Sequence, residues 1–131
     1  MKLRLQICVL AMLAPLVAFA DITNTDNKQH VPVDCAKDPI VTIAGNYNHV
    51  EISGACKRLR VVGNGNDVTA ASAIAVTVDG NENTVAVTLV DALSATGNKN
   101  HISFKKAVTA GKQPAVSNLG SDNQIARDTA K

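Results

Sequence analysis

The chain has 131 residues, 46% of them hydrophobic but only 2% aromatic, with 18% charged and a formal charge of +2. One domain is all that this length holds. Lys2 and Arg4 carry the whole excess of charge; without residues 1–20, eleven basic side chains face eleven acidic ones, which leaves no electrostatic pull toward nucleic acid or an anionic membrane.

Residues 1–20 read as a signal peptide. Lys2 and Arg4 form a positive start, an apolar run follows from Leu5 to Phe19, and Ala18-Phe19-Ala20 supplies a small-x-small cleavage site. The run falls short of the roughly 20 residues that span a bilayer. Export to the periplasm or medium is therefore expected, with cleavage near Ala20-Asp21 and no membrane-spanning segment in the mature chain. Cys8 leaves with the signal. Cys35 and Cys56 remain, and in an oxidising compartment they are expected to pair. With no close histidine they fall short of a zinc set.

Residues 21–39 are polar, contain Pro32 and Pro39 and show no apolar period. They read as a leader or cap. From Ile40 the texture becomes strictly alternating: Val41 and Ile43, then Gly45-Asn46-Tyr47-Asn48, then Val50 and Ile52, a period of two on both sides of a turn. The same unit returns at Gly63-Asn64-Gly65-Asn66, Gly80-Asn81-Glu82-Asn83 and Gly97-Asn98-Lys99-Asn100. An altered copy stands at Gly120-Ser121-Asp122-Asn123. Glycine-to-glycine spacings are 18, 17, 17 and 23, and the longest holds a loop around Gly111 and Pro114. Residues 127–131 form a polar tail.

A unit of this length cannot enclose a core alone, whereas stacked units can. The expected fold is all-β: a single-stranded parallel β-solenoid of about five coils over residues 40–126, with the Gly-Asn-x-Asn segments as stacked corners. Asn46, Asn64, Asn81 and Asn98 would form one amide ladder; Asn48, Asn66, Asn83, Asn100 and Asn123 would form another. The alternative is an antiparallel β-sandwich of hairpins, because Asp79-Gly80 between valines is also a hairpin signal. Fixed recurrence of the asparagine pair favours the solenoid.

Stacking turns repeat positions into columns. One reads His49, Asp67, Thr84, His101 and Gln124; two adjacent ligands do not make a tetrahedral metal site, so it reads as an exposed polar column. Between the asparagines stand Tyr47, Gly65, Glu82, Lys99 and Asp122, and the alternating signs of the last three read as register markers through exposed ion pairs. Asparagine in place of the aspartates of calcium β-rolls disfavours calcium. Catalytic motifs are absent from the sequence, and Tyr47 and Phe104 are too few for an aromatic glycan platform. No cofactor or metal is expected. The chain reads as a monomeric, non-enzymatic structural or interaction module of the cell envelope, with an unknown protein or envelope polymer as partner. A calcium-stabilised or wall-polymer-binding repeat protein is the alternative, and a hydrolase fits least.

Cys35, the run Gly45 to Val50, Gly54-Ala55-Cys56 and the later glycine-asparagine copies through Gly120 to Ile125 resemble the family called domain of unknown function 3060. The resemblance covers essentially the whole mature chain. It implies a small secreted or envelope-attached bacterial protein of repeated β-strands and brings no catalytic residues. Ser121 departs from the pattern, as does the lack of a lipid-attachment cysteine after the signal, which favours a freely soluble form.

Overall fold

The computed structural model of the chain describes residues 21–130, so the expected signal peptide lies outside the described residues. Nine strands follow one another without a helix among the described residues: β1 (Asp21–Asn24), β2 (His30–Asp34), β3 (Ile40–Ala44), β4 (His49–Asn64), β5 (Asp67–Asn81), β6 (Thr84–Asn98), β7 (His101–Lys106), β8 (Ala115–Ser121) and β9 (Gln124–Arg127). Every pairing among them is parallel. This excludes the hairpin sandwich, whose neighbouring strands would be antiparallel. The chain is a β-solenoid of about five turns.

Register follows the repeat. Val68 pairs with Val85, Val76 with Leu93, Gly80 with Gly97 and Asn81 with Asn98. Along β5 the buried residues are Val68, Ala70, Ala73, Val76 and Val78. Two of those steps are three residues long, not two, and alternation can be kept inward there only if the strand bends. Two such bends and the Gly-Asn-x-Asn corner give each coil three sides. β4 and β6 repeat the arrangement with Val50, Ile52, Cys56, Leu59 and Val61, and with Val85, Val87, Val90, Leu93 and Ala95. Aliphatic side chains thus stack coil on coil in one continuous core.

The two irregular spacings have local causes. Between β4 and β5 the register shifts from Ile52 opposite Ala70 to Ala55 opposite Ser72. One extra residue is absorbed beside Gly54, at φ +79°, a left-handed conformation that glycine adopts without a Cβ penalty. Between the fourth and fifth coils the extra residues form the 107–114 loop. Asp91 holds it, accepting bonds from the Thr109 amide at 2.9 Å and the Thr109 hydroxyl at 2.6 Å.

The polar stretch 21–39 is more regular than its composition suggests. β1 pairs with β3 and β2 with β4, and Asp26-Asn27-Lys28-Gln29-His30-Val31 occupies the corner beneath Gly45 to Val50. Lys28 has φ +56° where Tyr47 has +58°, and its amide donates to the Asn46 carbonyl. A Cβ on Gly45 would collide with the Asp26 carbonyl oxygen, as one on Gly80 would with that of Gly63. The Asp26 corner is the first described one, with no preceding corner carbonyl for its Cβ to meet, so aspartate is admitted where later coils need glycine. At the opposite end β8 is exposed along its whole length, including Val116 and Leu119.

Candidate functional site

The corner residues, singled out by their recurrence, meet one another before they meet solvent. Asn48, Asn66, Asn83 and Asn100 are buried. Each donates through Nδ2 to a carbonyl one coil back: Asn48 to Asp26, Asn66 to Gly45, Asn83 to Gly63 and Asn100 to Gly80. Asn123 continues the series to Gly97. Nδ2 of Asn66, Asn83 and Asn100 also donates forward, to Oδ1 of the asparagine in the following coil. The outer ladder, half-buried Asn46 and exposed Asn64, Asn81 and Asn98, runs the opposite way, each Nδ2 donating to the preceding Oδ1. Asn27, inside the expected leader, is its first rung.

Both ladders end in substitutes. Gln29 donates its amide N–H to Asn48 Oδ1. Asn118, at a position that faces inward in the other coils, accepts a 2.9 Å bond from Asn123 Nδ2 and so stands in for a following rung. Ser121 aligns with Asn98 at the end of the outer ladder. Glycines 45, 63, 80, 97 and 120 are fixed by contact with the neighbouring coil, since a Cβ on any of them would meet a backbone oxygen there. Cys35 and Cys56 form a disulfide with Cα atoms 5.0 Å apart, both buried. It ties the turn after β2 to β4.

Between the asparagines, Tyr47, Glu82, Lys99 and Asp122 all take φ near +57°. The corner glycines two positions earlier take positive φ as well, +124° at Gly63, +143° at Gly80 and +108° at Gly97, so both positions turn the chain. Glu82, Lys99 and Asp122 were expected to form ion pairs along the column, and they do not come within ion-pairing distance of one another. On the coil wall Arg60 pairs with Asp79, at 2.9 Å. The Tyr47 ring leans over Gly65 in the next coil, where a Cβ would meet it.

The polar column after the corner is longer by one member. It reads His30, His49, Asp67, Thr84, His101, Gln124, each residue in register with the next. His30 was missed because the leader was not recognised as a coil; the signal was Asn27-x-Gln29-x-Val31, a copy without glycine. The rings of His30 and His49 stack with centroids 5.1 Å apart and planes 18° from parallel. His49 Nδ1 lies 3.2 Å from Asp67 Oδ2, and its Nε2 lies 3.4 Å from Glu51 Oε1. His101 stands apart, at 3.2 Å from Gln124.

Two residues beyond this column runs a second: Pro32, Glu51, Thr69, Ala86, Ser103, Ala126. Its small members leave a shallow furrow. The deeper part, about 470 Å³, lies between Pro32, Glu51, Ser53 and Thr69. A narrower continuation passes Thr69, Ala86 and Ser103 to Lys105 and Asp128.

The family model described as "Protein of unknown function (DUF3060)" matches twice, over residues 43–89 and 74–122. Together the segments cover residues 43–122, 80 of the 131. The chain belongs to this family. The overlap of the two matches reflects the repeat: either segment holds nearly three coils, and DUF3060 aligns with both. No curated protein and no solved structure matches the chain.

Proposed function

We propose that this DUF3060 protein is an exported, non-enzymatic module of the cell envelope, whose furrowed face receives a protein segment or an envelope polymer. The observation that carries the reading is the registered column from Glu51 through Thr69, Ala86 and Ser103: flat, small, hydroxyl-bearing and continuous along the coil axis. Such a strip offers an extended chain a side chain at every coil, a repeat of roughly 4.7–4.9 Å, with the hydroxyls of Thr69 and Ser103 two coils apart. The disulfide fits an oxidising destination. A non-enzymatic role is supported by the buried polar side chains, which among the described residues are ladder asparagines bonded across coils and lie away from the furrow.

Two measurements test it. Mass spectrometry of protein recovered from the periplasm or medium should find a chain beginning at Asp21; a full-length chain retained in the cytoplasm refutes export. Co-sedimentation with purified wall polymer, or capture of an envelope protein, should be lost in a Thr69→Arg, Ser103→Arg double variant. It should survive Thr77→Arg with Ser94→Arg on another side of the coil. Equal loss from both variants, or no retention by the unaltered protein, overturns the reading.

A further inference from the structure

The histidine column holds more than solvated polar residues. His30, His49 and Glu51 each offer a ligand atom, and the three atoms lie within 4.8 Å of one another on the exposed wall of the first two coils. We propose that these residues form a binding site for a divalent transition cation of the zinc or copper type, with Asp67 as the positioning residue. This reading goes beyond the docking role proposed above and does not depend on it.

The decisive geometry is at His49. Its ring stands between two carboxylates, Asp67 at Nδ1 and Glu51 at Nε2. Asp67 makes the shorter approach, at Nδ1, in the carboxylate–histidine arrangement that orients a metal-ligating imidazole. Nε2 and Glu51 Oε1 then face each other across the point where a cation would sit. The 3.4 Å separation of Nε2 and Oε1 equals the edge of a tetrahedron about 3.4 Å long, built on metal–ligand bonds of roughly 2.0–2.2 Å.

His30 supplies the third ligand. The His30 and His49 Cα positions are in register on adjacent parallel strands, so the backbone ladder holds the two imidazoles side by side. The His30 ligand atom lies within 4.8 Å of those of His49 and Glu51, and its exposed ring, stacked at 18° to that of His49, has to turn for both imidazoles to meet one ion. Two imidazoles and one carboxylate are a donor set for zinc or copper, not for calcium or magnesium, which take oxygen ligands. Three protein ligands leave a fourth position open to water or to a partner's side chain, and the site borders the furrow through Glu51.

The test is titration of the purified, untagged protein with Zn²⁺ by calorimetry. The expected result is one equivalent bound. Binding should disappear in His49→Ala and in His30→Ala, and persist in His101→Ala, which removes a histidine of the same column. Asp67→Asn should weaken binding about 10- to 100-fold, the usual effect of losing an orienting carboxylate, without changing the stoichiometry. Circular dichroism of each variant checks that the coil is intact. Cu²⁺ added to the same protein should give an electron paramagnetic resonance spectrum with two coupled nitrogens. Absence of binding by the unaltered protein, or binding that survives His49→Ala or His30→Ala, overturns the proposal.

Discussion

Asn83 uses every polar atom of its side chain. Nδ2 donates to Gly63 O at 2.8 Å and to Asn100 Oδ1 at 3.0 Å, while Oδ1 accepts from both the backbone and the side chain of Asn66. Removing it strands buried partners above and below, and each unsatisfied group costs about 1–3 kcal/mol. Asn83→Ala should therefore lower unfolding free energy by about 2–4 kcal/mol in urea denaturation. Asn81→Ala, at an exposed rung of the outer ladder, should cost about 1 kcal/mol, because water replaces the lost bonds. Equal losses would show that burial does not separate the ladders. The recurrence of Asn83 was visible in the sequence; its burial and the polarity of its bonds were not, since inner and outer asparagines recur with the same period. Nor was the second turning residue legible, two positions after each corner glycine. Glutamate and lysine at 82 and 99 carry no sign of a left-handed backbone.

At the scale of single elements, β4 and the 107–114 loop depend on specific tethers. The Cys35–Cys56 bond closes a loop of about 20 residues, for which the chain-entropy model gives on the order of 3 kcal/mol. Thermal unfolding followed by circular dichroism should show a lower midpoint after reduction, and an unchanged midpoint would mean that the crosslink is idle. The loop answers to pH. The Thr109 hydroxyl and then its amide, hydrogen-bonded to Asp91, hold that carboxyl below the usual carboxylate range, with Lys112 adding to the effect. A carboxyl lowered by folding stabilises the fold above its unfolded value of about 3.9 and loses that contribution as pH falls through the folded value. Protection of the Thr109 amide against exchange, taken relative to its intrinsic rate at each pH, should accordingly fall in acid, below about pH 4, and in Asp91→Asn it should be low at every pH. Alternation around the corners made these strands readable. The mid-strand bends were not, because three-residue steps through Ala70-Ala71-Ser72-Ala73 use ordinary small residues and no marker such as Gly-Asn.

For the molecule as a whole, stability is a sum over coils and the contacts between neighbours. Asp67 and Thr84 occupy the same register position one coil apart, so deletion of residues 67–83 joins Asn66 to Thr84 in phase. The shortened chain should fold with the same circular dichroism spectrum and a lower melting temperature. A second copy of 67–83 should raise it. A deletion variant without β-sheet signal would refute additive coils. The first described coil was illegible for a reason that belongs to this scale: glycine is demanded only where another backbone lies behind it, and Asp26 has none among the described residues. With that coil unseen, His30 stayed outside the column it completes, and the metal-binding geometry stayed outside the sequence.

The opposed directions of the two asparagine ladders bear on the field of the molecule. Inner amides carry their oxygens toward the first coil, and outer amides carry theirs toward the last. Each column is a line of aligned dipoles, and a single column would sum along its length as peptide dipoles do in a helix. Side by side and antiparallel, the two cancel. The solenoid can gain or lose coils without charging its ends, so neither terminus becomes a magnet for counterions as the stack lengthens.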